Sequence, residues 1–562
     1  MGRLWGPLGV LALYALAPGS APAQQDPAQV IAQTSPDPAI IADGIAPVTP
    51  ANTRRNRFQG TIDVFLVPEP GRDALPVIDP ERDSPEAGVL RRLVASGKAA
   101  GLADVIYDNR DQEHSSLQPG LFPQVSRTRY DDVFKREYLH HGVAGRMMFS
   151  LPTVGNSSTA LTQGPIARSN ARIALADQVS AMRTFRLYAS NHMYVYPEHR
   201  DYDADLGDRL YSSAPYFMVS QGSSYRDQPF VEALLTVLAA FRPDTRAKLV
   251  ELGLLAPTAQ MVLRRTLDRV RGVSDYLSPI AHPVVFENLQ LRLAAAVAYA
   301  NSITPETIPP MVKLTVLSDF PSVPGQDYLA VNLSESLFTT PSAVARLWRS
   351  FAYSRSMAIS AAATEDPNGR PLRYHWVLLQ GDPARVRILP QGESGETARI
   401  EMDWHDPFPA RPQLDLQSAR VDIGVFADNG VHISAPATVS VLFPTHQARE
   451  YRAAAGGQMR LHAIDYTEGP ESVPRRDAVI WPEAPWRDTL EWGEDSRVAV
   501  IERSFHGTGQ VQKLRRVADG WTRGGGADSS AIRHEARRVP PGVLALDAGD
   551  GEPPQDAPGD GQ

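Results

Sequence analysis

Asn191-His192-Met193-Tyr194-Val195-Tyr196, which empties into Pro197-Glu198-His199-Arg200-Asp201, and Tyr216-Phe217-Met218-Val219, which empties into Ser220-Gln221-Gly222-Ser223-Ser224, together make an α/β sheet the expected core of the first half of the chain. The first run alternates like a half-buried strand. The second is short and wholly apolar, as an interior strand of an α/β sheet would be. Beyond it, Asp227-Gln228-Pro229 reads as a helix start, with Asp227 as N-cap and Pro229 in the first turn, and Phe230, Leu234, Leu235, Leu238 and Phe241 recur at helical spacing. A strand, a glycine-containing loop and a helix N-terminus put N–H groups and hydroxyls at the C-terminal edge of a sheet, where α/β proteins bind ligands. Ser220, Ser223 and Ser224 are therefore candidate site residues.

Upstream, the pattern repeats. Ala103-Asp104-Val105-Ile106-Tyr107 reads as a strand and runs into Asp108-Asn109-Arg110-Asp111-Gln112-Glu113-His114-Ser115-Ser116. Acids, an amide, a guanidinium and an imidazole after an apolar strand suit proton transfer and charge stabilisation, which makes Asp108, Asp111, Arg110 and His114 candidates. A solvated loop built on Asn and Asp turns is the alternative. Asn156 and Ser157, in Gly155-Asn156-Ser157-Ser158-Thr159-Ala160, form a third small polar cluster, suited to a pocket or to close backbone packing. Strands at 60–67 and helices at 84–99, 258–271 and 284–301 complete an α/β domain expected over 57–304, with a mixed or parallel sheet covered by helices. Pro305, Pro309 and Pro310 mark its end.

After a connector at 305–355, with a helix expected at 342–353, the pattern turns to short alternating strands. Met357-Ala358-Ile359-Ser360-Ala361-Ala362-Ala363, the turn Asp366-Pro367-Asn368-Gly369 and the run Leu372-Arg373-Tyr374-His375-Trp376 resemble the polycystic kidney disease type of immunoglobulin-like domain. The resemblance covers roughly 314–443 and implies a β-sandwich at 356–445, or from near 314, serving as an accessory spacer or binding module; it carries no catalytic residues. Period-2 geometry agrees, since Tyr374 and Trp376 share a strand face and Asn368-Gly369 supplies a tight turn. The N-terminal part also looks like a group of uncharacterised secreted bacterial proteins with this domain order. In an irregular segment at 446–537, Trp481 and Trp486 offer either a sugar-stacking surface or staples onto a neighbouring domain. Residues 538–562 are expected to be disordered.

Length and composition bound the rest. A chain of 562 residues calls for more than one core, and a net charge of -8 leaves no basic footprint for nucleic acid. Arg3, the apolar residues 4–17 and Ala21-Pro22-Ala23 read as a signal peptide over 1–23, implying a secreted or periplasmic protein without an integral span, followed by a disordered leader over 24–56. The absence of cysteine removes thiol chemistry and disulfides.

Three chemistries are weighed. A hydrolase would use Ser220 or Ser223 as nucleophile, His199 as base and Asp108 or Asp111 to orient it, although Ser-Gln-Gly-Ser-Ser is not the Gly-x-Ser-x-Gly elbow. A glycosidase would pair carboxylates among Asp108, Asp111, Glu198 and Asp201. His192, His199, Asp201, Asp203 and Asp208 are competent metal ligands, but their spacing matches no metal motif, so no metal or cofactor is assigned. The resulting expectation is a secreted hydrolase acting on an extracellular or cell-envelope polymer or ester, a glycan among the candidates; the competing class is a non-catalytic envelope, matrix or glycan-binding protein.

Overall fold

The computed structural model describes residues 36–142, 146–157, 177–197, 214–222, 224–283, 285–409, 417–444, 447–466, 480–482, 486–518, 520–523, 531–539 and 543–546. Its N-terminal half is organised by a six-stranded sheet. In chain order the strands are β1 (Ile45–Val48), β2 (Ile106–Asn109), β3 (Ser126–Tyr130), β4 (Thr153–Asn156), β5 (His192–Pro197) and β6 (Phe217–Ser220). They lie in the order β1-β3-β2-β4-β5-β6, and every pair is parallel. β5 is buried along its whole length, as expected of a central parallel strand covered on both faces.

One face carries helices. The helix Gln228–Ala240 opens with Pro229 in its first turn and buries almost every side chain, so it is the central helix of that layer. It packs with Pro85–Ala95, Leu255–Arg265 and Leu293–Ser302 over Tyr107, Val154, Met193, Val195 and Met218. The opposite face is covered by a small sheet of Thr53–Asn56, Thr61–Val64 and Met147–Phe149, which encloses Ile62, Val64, Met147 and Phe149 against Ile106 and Tyr130.

Three expectations are corrected. The stretch read as leader holds β1 at the edge of the sheet, with Ala46 and Val48 fully buried; an edge strand tolerates Pro47 because its outer side needs no ladder donor. The helix expected at 342–353 is instead the strand Ala343–Leu347, paired with Ala437–Leu442. The segment read as irregular after Tyr451 contains a six-stranded antiparallel sheet that includes Met459–Tyr466, Trp486–Trp492 and Val498–Phe505.

The second unit is a sandwich of a five-stranded and a four-stranded sheet around Trp348, Trp404, Ile400, Val421 and Phe443. Tyr374 and Trp376, half-buried on one edge strand, pack against that core, and Gly369 takes a positive φ of 68° in the preceding turn. The sandwich is joined to the α/β unit by shared packing. Phe338, Ala343, Ala345 and Phe426 belong to the same apolar cluster as the central helix, and the Tyr276 hydroxyl donates to the Ser434 carbonyl at 2.7 Å.

Candidate functional site at the β2–β4 crevice

From β2 the chain moves to β3 on one side and then to β4 on the other, so the strand order reverses between β2 and β4. In an open parallel sheet, the crevice outside the carboxyl ends of those two strands is the usual ligand position. Here it is bordered by Asp108–Ser116 on one side and Asn156–Ser157 on the other. Side chains alternate along a strand, so Asp108 faces one layer while Tyr107 and Asn109 face the other.

On the small-sheet face, Asp108 is completely buried and fully engaged. Its Oδ1 accepts from the hydroxyls of Tyr130 at 2.8 Å and Thr128 at 2.9 Å; its Oδ2 accepts from Tyr194 at 2.7 Å and lies 3.4 Å from Arg110. Arg110 donates onward to the carbonyls of Gly142 and Leu139, both at 2.6 Å, and to the Tyr130 hydroxyl at 2.9 Å. Burial pushes the Tyr194 and Tyr130 phenols well above their ordinary range, with the Asp108 charge adding to it. Gly155, paired with Asp108, is required here: a Cβ would come within 2.3 Å of the Asp108 carbonyl and 2.4 Å of the Tyr194 ring. Asp108 and Arg110 thus brace the loop across the sheet and are closed to solvent.

On the helical face a second network forms. Asp227 Oδ1 accepts the Ser115 hydroxyl at 2.5 Å, and its Oδ2 accepts the Asn156 amide at 2.6 Å. Asn156 also donates to the Ser115 carbonyl at 2.9 Å and accepts from the Tyr107 hydroxyl at 2.7 Å. The Ser115 hydroxyl accepts the Tyr225 N–H at 2.9 Å. Asp227 does not cap its helix through its side chain, contrary to the sequence reading, because that carboxylate is committed across the crevice. Burial raises its pKa above the ordinary aspartate value, and its bonds from Ser115 and Asn156 oppose that rise. Burial likewise pushes Tyr107 up to about 12.

Above this network, Gln112, Glu113 and Ser115 all hold positive φ, of 55°, 67° and 52°. Left-handed backbone at non-glycine residues is costly and persists where surrounding contacts enforce it. Those contacts come from Ser115 and from the Asn109 side chain, whose Oδ1 accepts the N–H groups of Asp111 at 3.0 Å and Glu113 at 3.1 Å and whose amide donates to the His114 carbonyl at 3.0 Å; the exposed His114 ring lies 5.3 Å from that of Tyr225.

The sequence candidates divide accordingly. Asp108, Arg110, Asp111, His114, Asn156 and Ser157 lie together at the crevice. Asp111 is buried, and the Ser157 hydroxyl donates to the Arg110 carbonyl at 2.9 Å. Ser220 ends β6 on the helical face, buried and bridged to Phe286, and among the described residues its hydroxyl has no hydrogen-bond partner. Ser224 is half-buried beside Tyr225. His192 begins β5, at the opposite end of that strand from the crevice. Its Nε2 accepts the Phe149 N–H at 2.9 Å, its Nδ1 donates to the Ser190 carbonyl at 2.7 Å, and burial lowers its pKa to about 4. Trp486 is 1 % exposed, under Arg503 at 3.9 Å, so its ring face is not offered to a sugar. Trp481 lies in the strand Ile480–Pro482, and its side chain falls outside the described residues, as do His199 and Ser223. Among the described residues, no group of three or more His, Cys, Asp or Glu is placed to hold a metal ion.

Sequence reasoning missed Ser115, Tyr107, Tyr225 and the role of Asp227. The available signal was a carboxylate immediately before an unusually apolar helix, which a local reading assigns to capping.

No family model matches the chain, and no curated protein matches it. Among solved structures, a nucleoside hydrolase-related hypothetical protein from Saccharophagus degradans, associated with carbohydrate metabolism, is 9 % identical and aligns over 52 % of this chain and 71 % of its own, with a TM-score of 0.18. The N-terminal Ig1-2 module of the Drosophila receptor protein tyrosine phosphatase DLAR is also 9 % identical and aligns over 42 % of this chain and 97 % of its own, with a TM-score of 0.12.

Proposed function

We propose that the chain is an exported hydrolase acting on an extracellular polymer or ester, with its reaction centre at the β2–β4 crevice and Asp227 as its acid–base group. The observation that carries this reading is the state of Asp227: buried at a strand-order reversal, with a raised pKa and a 2.5 Å bond to a serine hydroxyl. A carboxyl that retains its proton above the usual range is suited to donating it to a leaving group, and a neighbouring hydroxyl or water can return it. His114 and Tyr225 are exposed and form the rim nearest the crevice. The β-sandwich, read as the polycystic kidney disease type, serves as the accessory module.

The test is turnover of p-nitrophenyl esters, p-nitrophenyl glycosides and soluble polysaccharides by the full chain and by Asp227→Asn. Loss of about 100-fold or more in kcat, with KM nearly unchanged, is expected of a missing acid–base group. An active preparation whose turnover survives the substitution defeats the assignment.

One observation favours the second reading, a non-catalytic envelope or glycan-binding protein: Asp108, Ser115 and Asp227 are all sealed from solvent. Glycan binding without turnover, retained in Asp227→Asn, would decide for it.

A further inference from the structure

We infer that Arg349 forms a carboxylate-binding site in the cleft between the β-sandwich and the C-terminal antiparallel sheet. The cleft is open to solvent and encloses about 20 Å³, and Tyr328, Leu329, Phe351, Tyr466 and Leu546 line it around Arg349.

Arg349 is only 7 % exposed. Its Nε donates to the Ser334 carbonyl at 3.2 Å, and among the described residues no acceptor meets Nη1 or Nη2. Glu335 and Tyr328 offset its burial only in part. Glu335 is engaged by Arg355, whose Nη1 and Nη2 lie 2.6 and 2.5 Å from its two oxygens, and it also accepts the backbone N–H groups of Arg349 and Ser350. Arg449 sits 3.8 Å over the Trp404 ring and donates to the carbonyls of Ser350 and Arg349. Arg349, Arg355 and Arg449 therefore gather where Glu335 supplies the opposing charge, and burial lowers the Arg349 pKa to about 10, with Tyr328 and Glu335 opposing that fall.

A buried guanidinium with open N–H groups is stabilised by an anion that reaches both terminal nitrogens, and a carboxylate fits that planar fork with two parallel hydrogen bonds. The aromatic and aliphatic walls lower the local dielectric and strengthen the pair. Two sources of carboxylate are at hand in chemistry: a small free acid, or the chain itself, since Leu546 lines the cleft and Asp547, Asp550 and Glu552 follow it in sequence.

Thermal unfolding of the full chain in sodium acetate, against sodium chloride at equal pH and ionic strength, tests the site. The comparison includes Arg349→Gln, Arg349→Lys and a full-length variant carrying Asp547→Asn, Asp550→Asn and Glu552→Gln. Acetate is expected to raise the midpoint by about 2–4 °C at saturating concentration, and neither Arg349 variant should respond. A response already present in the parent identifies a free acid as the ligand. A response that appears only after the tail is neutralised identifies the chain's own carboxylates. Arg349→Lys keeps the charge while removing the fork, so it carries the comparison if Arg349→Gln folds poorly. Equal midpoints in acetate and chloride for both the parent and the tail-neutral chain, or an undiminished response in Arg349→Lys, overturn the inference.

Discussion

The Ser115 hydroxyl and the Asp227 carboxylate, 112 residues apart in sequence, meet at 2.5 Å across the crevice between β2 and β4. Their bond ties the strained loop after β2 to the start of the central helix. Ser115→Ala should release that loop: removing the donor leaves a buried carboxylate one hydrogen bond short, a cost of about 1–3 kcal/mol. Urea denaturation, with proteolysis inside residues 109–116 as the local readout, checks it.

Asp108 and Arg110 should behave as a structural pair. Asp108→Ala strands a buried guanidinium and should cost about 3–5 kcal/mol. Combining it with Arg110→Met should cost less than the two single changes added together, because the partner no longer needs compensation. A double-mutant cycle by chemical denaturation measures the coupling, and strict additivity would refute it.

Acid should destabilise the fold through His192. Its folded pKa, about 4, lies below the ordinary 6.5, so the unfolded chain binds the additional proton first as pH falls. The stabilisation is fully present above 6.5 and is lost between 6.5 and about 4, corresponding to about 3 kcal/mol. His192→Gln should flatten that part of the stability–pH curve. Asp227 acts with the opposite sign: its raised pKa makes stability fall as pH rises from the ordinary aspartate value of 3.8 through its folded value.

Gly155→Ala should be among the most damaging single-methyl additions in the chain. The new carbon would meet backbone at 2.3 Å and the Tyr194 ring at 2.4 Å, and a carbonyl inside a paired strand cannot retreat. A loss of about 3 kcal/mol or more, or failure to accumulate as soluble protein, is expected.

Trp486→Ala should lower stability by about 3–5 kcal/mol, through the cavity left beneath Arg503 and beside Tyr466, without a selective change in any sugar binding. Parallel calorimetry and glycan titration distinguish a core residue from a contact residue.

The two strands were legible because β5 and β6 are apolar and each is followed by polar residues; their places were not, since β5, read as half-buried, is buried throughout, and β6, read as interior, lies at the sheet edge with Phe217 and Val219 half-buried. The start of the central helix was legible from Pro229. The division of the polar cluster into two networks was not: Tyr107 and Asp108 are adjacent in sequence, yet alternation sends them to opposite layers, and only the pairing of β2 with β4 shows that Gly155 opens space beside Asp108 while Asn156 receives the Tyr107 hydroxyl. Asp227 was misread because Asp before Gln-Pro satisfies the local pattern of a cap, and its true partners lie more than 70 residues away. Ala343–Leu347 is rich in helix formers; pairing on both sides with Ser336–Thr340 and Ala437–Leu442 overrides that preference. β1 was hidden by proline-rich surroundings.

Phe338, Ala343, Ala345 and Phe426 of the sandwich are buried in one apolar cluster with the helices of the α/β unit. Cutting between the two units would lay that oily seam bare on both fragments. The α/β unit is therefore no portable cassette: transplanted without its neighbour it would clump, and swapping the sandwich for an unrelated module would require rebuilding the seam residue by residue.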